Sequence, residues 1–146
     1  MNSVMNPSEL SPADEAHPAG SVLLVDDETA LLDIYAAILA PHFDIASAVD
    51  ARAADVALRA KAFKVIVADH SMPGETGLSL LARVRTSFPH MQRVLVTGNM
   101  TPEMERTARD TDLLFAFLVK PISISDLVNV VRSAARAHDT SLAATQ

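Results

Sequence analysis

The chain has 146 residues, 49% of them apolar, and a net charge of -6, which suggests one acidic domain with a sizeable core. The absence of cysteine excludes disulfides, thiolate nucleophiles and cysteine-ligated zinc, and the absence of a Lys/Arg-rich run argues against a nucleic-acid-binding surface. Because the sequence has no signal-peptide pattern and no apolar stretch near the roughly 20 residues that span a bilayer, we expect a cytoplasmic protein without membrane insertion.

The two ends of the chain differ from its middle. Residues 1–20 contain Pro7, Pro12 and Pro18, three acidic residues and no Lys or Arg. This composition predicts a disordered leader, with a short capping helix as the alternative. Since only eight residues follow His138, we expect 139–146 to be a flexible C-terminal tail and 21–138 to form the domain.

From Ser21 onward, short apolar runs alternate with longer stretches of helical periodicity. The runs lack polar alternation, which is typical of strands buried on both faces, whereas Thr101-Pro102 is a typical helix start. Five βα units in a row predict an α/β fold with a doubly wound, five-stranded parallel sheet. The predicted strands are 21–25, 43–47, 65–68, 93–97 and 115–119, and the predicted helices are 28–40, 51–62, 78–87, 101–110 and 125–138.

Polar side chains stand where the predicted strands end. Asp26 and Asp27 follow the first strand, Asp69 follows the third, Thr97 ends the fourth and Lys120 follows the fifth. In a doubly wound sheet, ligands bind beyond the carboxyl ends of the strands, near the switch in strand order. We therefore expect these five side chains to gather in one crevice at that edge.

Three carboxylates in one crevice repel each other unless a cation joins them. Oxygen ligands suit Mg²⁺, and a metal, an ammonium group and a hydroxyl around one carboxylate meet the needs of phosphoryl transfer. Each residue alone also has a purely structural interpretation. Asp26 or Asp27 could be a helix N-cap, Asp69 a turn former, Thr97 a structural strand end and Lys120 part of a solvated turn.

Taken together, these motifs resemble the receiver domain of two-component response regulators over about residues 20–138. The resemblance implies a flavodoxin-like fold, as in CheY-like single-domain receivers, with strand order 2-1-3-4-5. It also implies that Asp69 accepts a phosphoryl group from a sensor histidine kinase or a phosphotransfer protein. The motifs that carry it are Asp26-Asp27, Asp69 with Met72-Pro73-Gly74, Thr97-Gly98 and Lys120-Pro121.

The resemblance assigns the metal ligands and the phosphoryl partner. Asp27 and Asp69, with the backbone carbonyl of Ser71, would ligate Mg²⁺, and Asp26 would help to hold the ion through water. Lys120 would pair with a phosphoryl oxygen, so that its removal should impair signalling more than folding.

The resemblance also assigns a switch. Thr97 would move its hydroxyl onto the phosphoryl group, and Phe117 would then swing inward. Phe117 has no hydroxyl, unlike the Tyr found in many receivers, so this move could not form a new hydrogen bond. A downstream protein would read the altered face at 101–138.

Several functions fit this site. The main interpretation is a stand-alone receiver, a monomer or weak dimer that catalyses only its own phosphorylation and dephosphorylation. The alternatives within signalling are a phosphorylation-independent pseudo-receiver and a phosphoryl relay or sink. A phosphatase of the haloacid dehalogenase type is disfavoured because the first strand is followed by Asp-Asp-Glu instead of Asp-x-Asp.

Overall fold

A computed structural model describes residues 19–144, so the leader predicted at 1–20 lies almost wholly outside the described residues. Strands and helices alternate as expected, and the bounds lie close to the predicted ones except at the end of the last helix. In the described part of the chain, no helix has the length and apolar character needed to cross a membrane. The elements are β1 (Ser21–Val25), α1 (Thr29–Leu39), β2 (Asp44–Ala48), α2 (Ala51–Ala60), β3 (Val65–Asp69), α3 (Gly77–Ser87), β4 (Gln92–Thr97), α4 (Pro102–Asp110), β5 (Ala116–Val119) and α5 (Ile124–Ala144).

The five strands form one parallel sheet in the order β2-β1-β3-β4-β5, which confirms the predicted fold class and topology. The chain leaves β1 toward β2 on one side and returns to β3 on the other side of β1. This change of direction places the topological switch point between β1 and β3. Asp26 follows the end of β1 and Asp69 ends β3, so both lie at that point.

Side chains alternate between the two faces of the sheet and build a separate apolar cluster on each. Leu23, Ile66 and Leu95 pack with residues of α2 and α3 on one face. Val22, Val67 and Val94 occupy the other face, where the cluster also contains residues of α1 and α5. Burial on both faces explains why β1 and β3 read as continuous apolar runs without polar alternation.

The C-terminal part of the chain differs from the prediction. Helix α5 continues to Ala144, so the flexible tail expected from 139 onward is wrong for residues 139–144. Asp139 forms an ion pair with Lys64 at 2.9 Å, and the Ser141 hydroxyl lies 2.8 Å from Nδ1 of His90. The helix persists because these contacts tie the extra turns to the domain and because the segment contains no Gly or Pro to end it.

Candidate functional site

The carboxyl ends of β1, β3 and β4 are aligned by the register of the sheet. Val25 lies opposite Ala68, so the next residues, Asp26 and Asp69, lie side by side. Asp69 in turn pairs with Val96, immediately before Thr97. The register therefore brings the two aspartates and the threonine to one edge, as the sequence predicted.

Asp26, Asp27 and Asp69 form a compact cluster of carboxylates. One oxygen from each lies within 4.8 Å of the others. Asp26 and Asp69 are only 2% and 4% exposed, whereas Asp27 is open to solvent. Two buried carboxylates and one exposed carboxylate provide an oxygen-only site that suits a hard divalent cation. The site is open to solvent at Asp27, where water or further ligands can enter.

Lys120 supplies the positive charge of this cluster. Its Nζ lies 3.0 Å from Oδ1 of Asp69 and 3.5 Å from both Oδ2 of Asp26 and Oε1 of Glu28. Burial by itself lowers the pKa of Lys120, but the hydrogen bond to Asp69 and the three nearby carboxylates outweigh it and raise this pKa above its ordinary value. Lys120 therefore stays charged across the physiological pH range.

Asp26 has a second role in the turn after β1. Its Oδ1 accepts a hydrogen bond from the backbone N–H of Glu28 at 2.9 Å, and Glu28 is the N-cap residue of α1. Neither Asp26 nor Asp27 is the N-cap itself. Burial raises the pKa of Asp26, and the charge of Asp69 adds to that effect, although the bond from Glu28 and the charge of Lys120 oppose it. The protein thus holds this carboxylate in a setting that disfavours its negative charge.

The family model of the response regulator receiver domain matches residues 22–132 of this chain. The chain belongs to this family. Receiver domains are signalling domains of bacterial two-component systems. They interact with histidine kinases and downstream effectors, and they typically bind Mg²⁺ at an acidic pocket. The assignment expected from the sequence motifs is therefore confirmed at the level of the family.

Individual relatives agree with the family match. The receiver is 30% identical to the hydrogenase transcriptional regulatory protein HoxA of Cupriavidus necator and 31% identical to the response regulator protein FleR of Pseudomonas aeruginosa. These matches cover 81% and 77% of this chain but 24% of each relative, so the chain spans about a quarter of their length. A signal receiver domain of an HD domain-containing protein from Pseudomonas fluorescens superposes with a TM-score of 0.78 at 25% identity, over 82% of this chain and 97% of that one.

The loop between β3 and α3 closes tightly around Asp69 of the receiver. Ser71 lies in this loop and is exposed, two residues beyond Asp69. The backbone N–H groups of Met72 and Gly77 both donate to the carbonyl of His70, at 3.2 and 3.0 Å. A Cβ atom at Gly77 would lie 2.4 Å from the backbone oxygen of Asp69, so a residue without a side chain is needed there.

Thr97 is buried at the end of β4, and its hydroxyl is engaged by its own loop. Oγ1 donates to the carbonyl of Asn99 at 3.1 Å and accepts from the N–H of Asn99 at 3.2 Å. The backbone carbonyl of Thr97 accepts from the N–H of Lys120 at 2.9 Å. The threonine thus lies at the site, but its hydroxyl belongs to the loop after β4 and not to the carboxylate cluster.

Phe117 lies on β5 and is 41% exposed, so its ring faces outward in this structure. It pairs with Leu95 across the sheet, two positions before the pair formed by Thr97 and Val119. The ring lines a surface cavity of about 460 Å³ between β5 and α4, and Met100 of the loop after β4 lines the same cavity. Phe117 is therefore separate from the carboxylate cluster but close to the loop that holds Thr97.

The sequence did not predict two features of the site and its surroundings. Glu28 joins the ion pairs of Lys120, whereas the sequence predicts only that it begins the first helix after two aspartates. Arg83 binds Glu75 of the β3–α3 loop through two hydrogen bonds of 2.7 and 2.9 Å and also bridges to Asp55 of α2. The i, i+8 spacing of Glu75 and Arg83 crosses a loop, so helical periodicity could not have signalled this pair.

Proposed function

We propose that this receiver accepts a phosphoryl group on Asp69 and that the modified site drives a conformational switch. The observation that carries the proposal is the position of Asp69, buried at the end of β3 with Nζ of Lys120 at 3.0 Å and two further carboxylates close by. Phosphoryl transfer needs positioning and charge neutralisation more than covalent chemistry by the protein, and this arrangement supplies both.

In the proposed reaction, a carboxylate oxygen of Asp69 attacks the phosphorus of a phosphohistidine in a kinase or phosphotransfer protein. The P–N bond breaks, the electron pair stays on the ring nitrogen and an acyl phosphate forms on Asp69. The ammonium group of Lys120 would pair with a phosphoryl oxygen, because it already lies against the attacking carboxylate.

The carboxylate cluster fits a magnesium ion. Asp27, Asp69 and Asp26 offer oxygen ligands within one small volume, and the exposed loop at Ser71 lies beside them. Mg²⁺, when bound, supplies positive charge for the oxygens of the transferred group. The residues of the chain would hold the ion, with Asp26 acting from the buried side.

Intact-mass measurement tests the phosphorylation site. We expect the full chain to gain one phosphoryl group when it is incubated with Mg²⁺ and acetyl phosphate, whereas Asp69→Asn should gain none. Asp27→Asn is the matched variant for the metal, because it should weaken Mg²⁺ binding and slow uptake without removing the acceptor. Equal labelling of Asp69→Asn and wild type would contradict the site, and binding of beryllofluoride without labelling would mean that the protein needs its kinase as the donor.

The switch is proposed to act on the face formed by α4, β5 and α5, residues 101–138. Phe117, Val119 and Ile124 are exposed apolar side chains on this face. Thr97 connects it to the site, since the loop after β4 is held by the Thr97 hydroxyl and leads directly into α4. A phosphoryl group that attracts this hydroxyl would free the loop and change the face that a downstream protein contacts.

Fluorine NMR can follow this switch through Phe117. In protein labelled with fluorophenylalanine, we expect beryllofluoride with Mg²⁺ to shift the signal of Phe117 but not that of Phe43, which lies in the core near the opposite edge of the sheet. Thr97→Ala should remove the shift while beryllofluoride still binds. A Phe117 signal that does not respond in wild type would contradict the proposed coupling, even if Asp69 is phosphorylated.

The remaining expectations belong to the same proposal. We propose a cytoplasmic protein, because the proposed phosphoryl donor is a kinase that draws on ATP. The stand-alone arrangement is tested by sequencing the gene, to see whether the reading frame continues on either side into a further domain. Sedimentation with and without beryllofluoride distinguishes a monomer from a weak dimer. A relay or sink would pass phosphoryl groups on to a phosphotransfer protein, which single-turnover transfer from labelled Asp69 would reveal.

A further inference from the structure

Two adjoining depressions lie at the amino edge of the sheet, opposite the phosphorylation site. The first, here named the apolar groove, has a volume of about 590 Å³ and lies where α2, α3 and α5 end. The second, here named the basic cavity, has a volume of about 330 Å³ and lies beside the start of β1. The apolar groove contains Leu58, Phe63, Phe88, Met91 and Leu142, and the basic cavity contains Ala19, Lys64, Arg132, Arg136 and Asp139.

The two depressions meet along a line of consecutive residues. Phe63 and His138 line the apolar groove, while the next residues in the chain, Lys64 and Asp139, line the basic cavity. Lys64 and Asp139 form the 2.9 Å ion pair at this boundary. An extended segment that crosses this pair would contact both depressions in succession.

The charge of this surface is the opposite of that of the protein as a whole. Arg132 and Arg136 are one helical turn apart on α5 and both are exposed, and exposed Arg59 and Lys61 flank the apolar groove. None of the described residues that line the apolar groove is acidic. In a chain of net charge -6, such a surface would attract an acidic segment with apolar side chains.

The leader has this composition, and it joins the domain at the same edge. Ala19, the first described residue, lines the basic cavity, and β1 begins two residues later. Asp14 and Glu15 lie within five positions of Ala19, and Leu10 lies nine positions before it. At full extension of roughly 3.4 Å per residue, nine residues reach about 30 Å, which is comparable to the width of a small domain.

We propose that the leader docks on its own domain, with Asp14 and Glu15 against Arg132 and Arg136 and with Leu10 in the apolar groove. Because the segment is tethered, its effective concentration at the groove is in the millimolar range, so weak contacts are sufficient. Arg136, Asp139 and Leu142, which line the two depressions, lie beyond the region matched by the family, and the docking goes beyond the proposed phosphoryl transfer.

Paramagnetic broadening in the full chain tests the proposal. Because the chain has no cysteine, Ser8→Cys gives a single site for a nitroxide label next to Leu10. We expect the methyl signals of Met91 and Leu142 in the apolar groove to lose most of their intensity. The methyl signal of Met100, in the loop after β4 at the other edge of the sheet, should keep its intensity.

Charge variants separate docking from chance encounter. Asp14→Asn with Glu15→Gln changes only the leader, cannot unfold the domain and should restore the Met91 signal. Arg132→Glu with Arg136→Glu should restore it as well, whereas Arg106→Glu with Arg109→Glu, a matched reversal on exposed α4, should not. Equal broadening of Met91 and Met100, or broadening that survives the leader variant, would overturn the proposal. A mixture of nitroxide-labelled chains with separate chains whose methyl signals are observed gives the last control. Equal broadening in this mixture would also overturn the proposal, because the leader of a second copy would then occupy the groove.

Discussion

Replacement of Lys120 by methionine would test how far the site depends on one positive charge. Nζ lies 3.0 Å from Asp69 and 3.5 Å from Asp26, and the side chain is 21% exposed. At an effective dielectric constant near 20, each of these attractions is worth roughly 5 kcal/mol, but the cost of removing the charges from water cancels much of it. We expect Lys120→Met to lower the free energy of unfolding by about 2–4 kcal/mol, because two buried carboxylates would lose their counter-charge.

Urea unfolding at pH 7, in EDTA and in Mg²⁺, measures this loss. The pKa of Lys120 is raised above its ordinary 10.5 in the folded protein. The contribution of its charge to the free energy of unfolding is therefore fully present at pH 7 and disappears only as the pH rises through the pKa of the folded state. Magnesium should restore part of the loss by taking over the counter-charge. Lys61→Met is the matched control, since Lys61 is exposed and its Nζ lies 6.0 Å from the ring centre of Phe63. A loss no larger than that of the control, or one independent of Mg²⁺, would refute the reasoning and leave Lys120 only its proposed role toward the phosphoryl group.

Three further substitutions test the surroundings of the site. Gly77→Ala should lower the free energy of unfolding by about 1–3 kcal/mol in urea unfolding, because the new Cβ collides with the β3–α3 loop; Gly98→Ala, where nothing lies within 4 Å, is its control. Asp26→Asn should raise the free energy of unfolding at neutral pH in EDTA, because burial raises the pKa of Asp26, and this gain should shrink as the pH falls through the folded pKa toward 3.8. Arg83→Met should cost only about 0.5–1 kcal/mol because the pair is partly exposed. The hydrogen bonds from Arg83 lower the pKa of Glu75 below its ordinary 4.5. The loss of stability in Arg83→Met should therefore vanish as the pH falls below 4.5 and through the lowered pKa, where Glu75 becomes protonated.

Each of these predictions has an outcome that would contradict it. Equal unfolding curves for the two glycine variants would mean that the loop can shift away from the new methyl group without cost. An Asp26→Asn protein that is less stable at neutral pH would show that the attraction to Lys120 outweighs burial. A cost of Arg83→Met that does not change with pH would show that the arginine stabilises the protein through its packing and not through Glu75.

Much of the fold could be predicted because the central strands of the sheet are buried on both faces. Runs such as those at 21–25 and 65–69 have no polar alternation, and that pattern together with intervening helices is nearly specific for a parallel sheet. The end of α5 could not be predicted in this way. Its last turns are held by Lys64 and His90, which lie far away in sequence, and no local signal reports such contacts.

The clustering of polar residues at this edge could be predicted from the sequence because the parallel register aligns the ends of the strands. Once Asp26, Asp69 and Thr97 are placed at strand ends, their proximity follows from topology alone. The hydrogen bonds and ion pairs of the individual side chains did not follow from the topology. That Thr97 bonds to Asn99, or that Glu28 reaches Lys120, depends on the path of individual loops, which composition and periodicity do not specify.

The carboxylate cluster and the rest of the fold have opposing effects on stability, and the structure separates them in space. Two apolar clusters, one on each face of the sheet, contain the large buried side chains and supply the favourable free energy of folding. The repelling carboxylates lie at the carboxyl ends of the strands, with Asp69 as the last residue of β3 and Asp26 and Asp27 just after β1, and none of them belongs to either cluster. The fold can therefore tolerate an unfavourable charge arrangement at its edge. Under the proposed function, a cation or phosphoryl group bound there would act on the loops around Asp69 and Thr97, and neither of these two residues belongs to an apolar cluster. This separation would let the proposed site respond to its ligands while the packing of the sheet is kept.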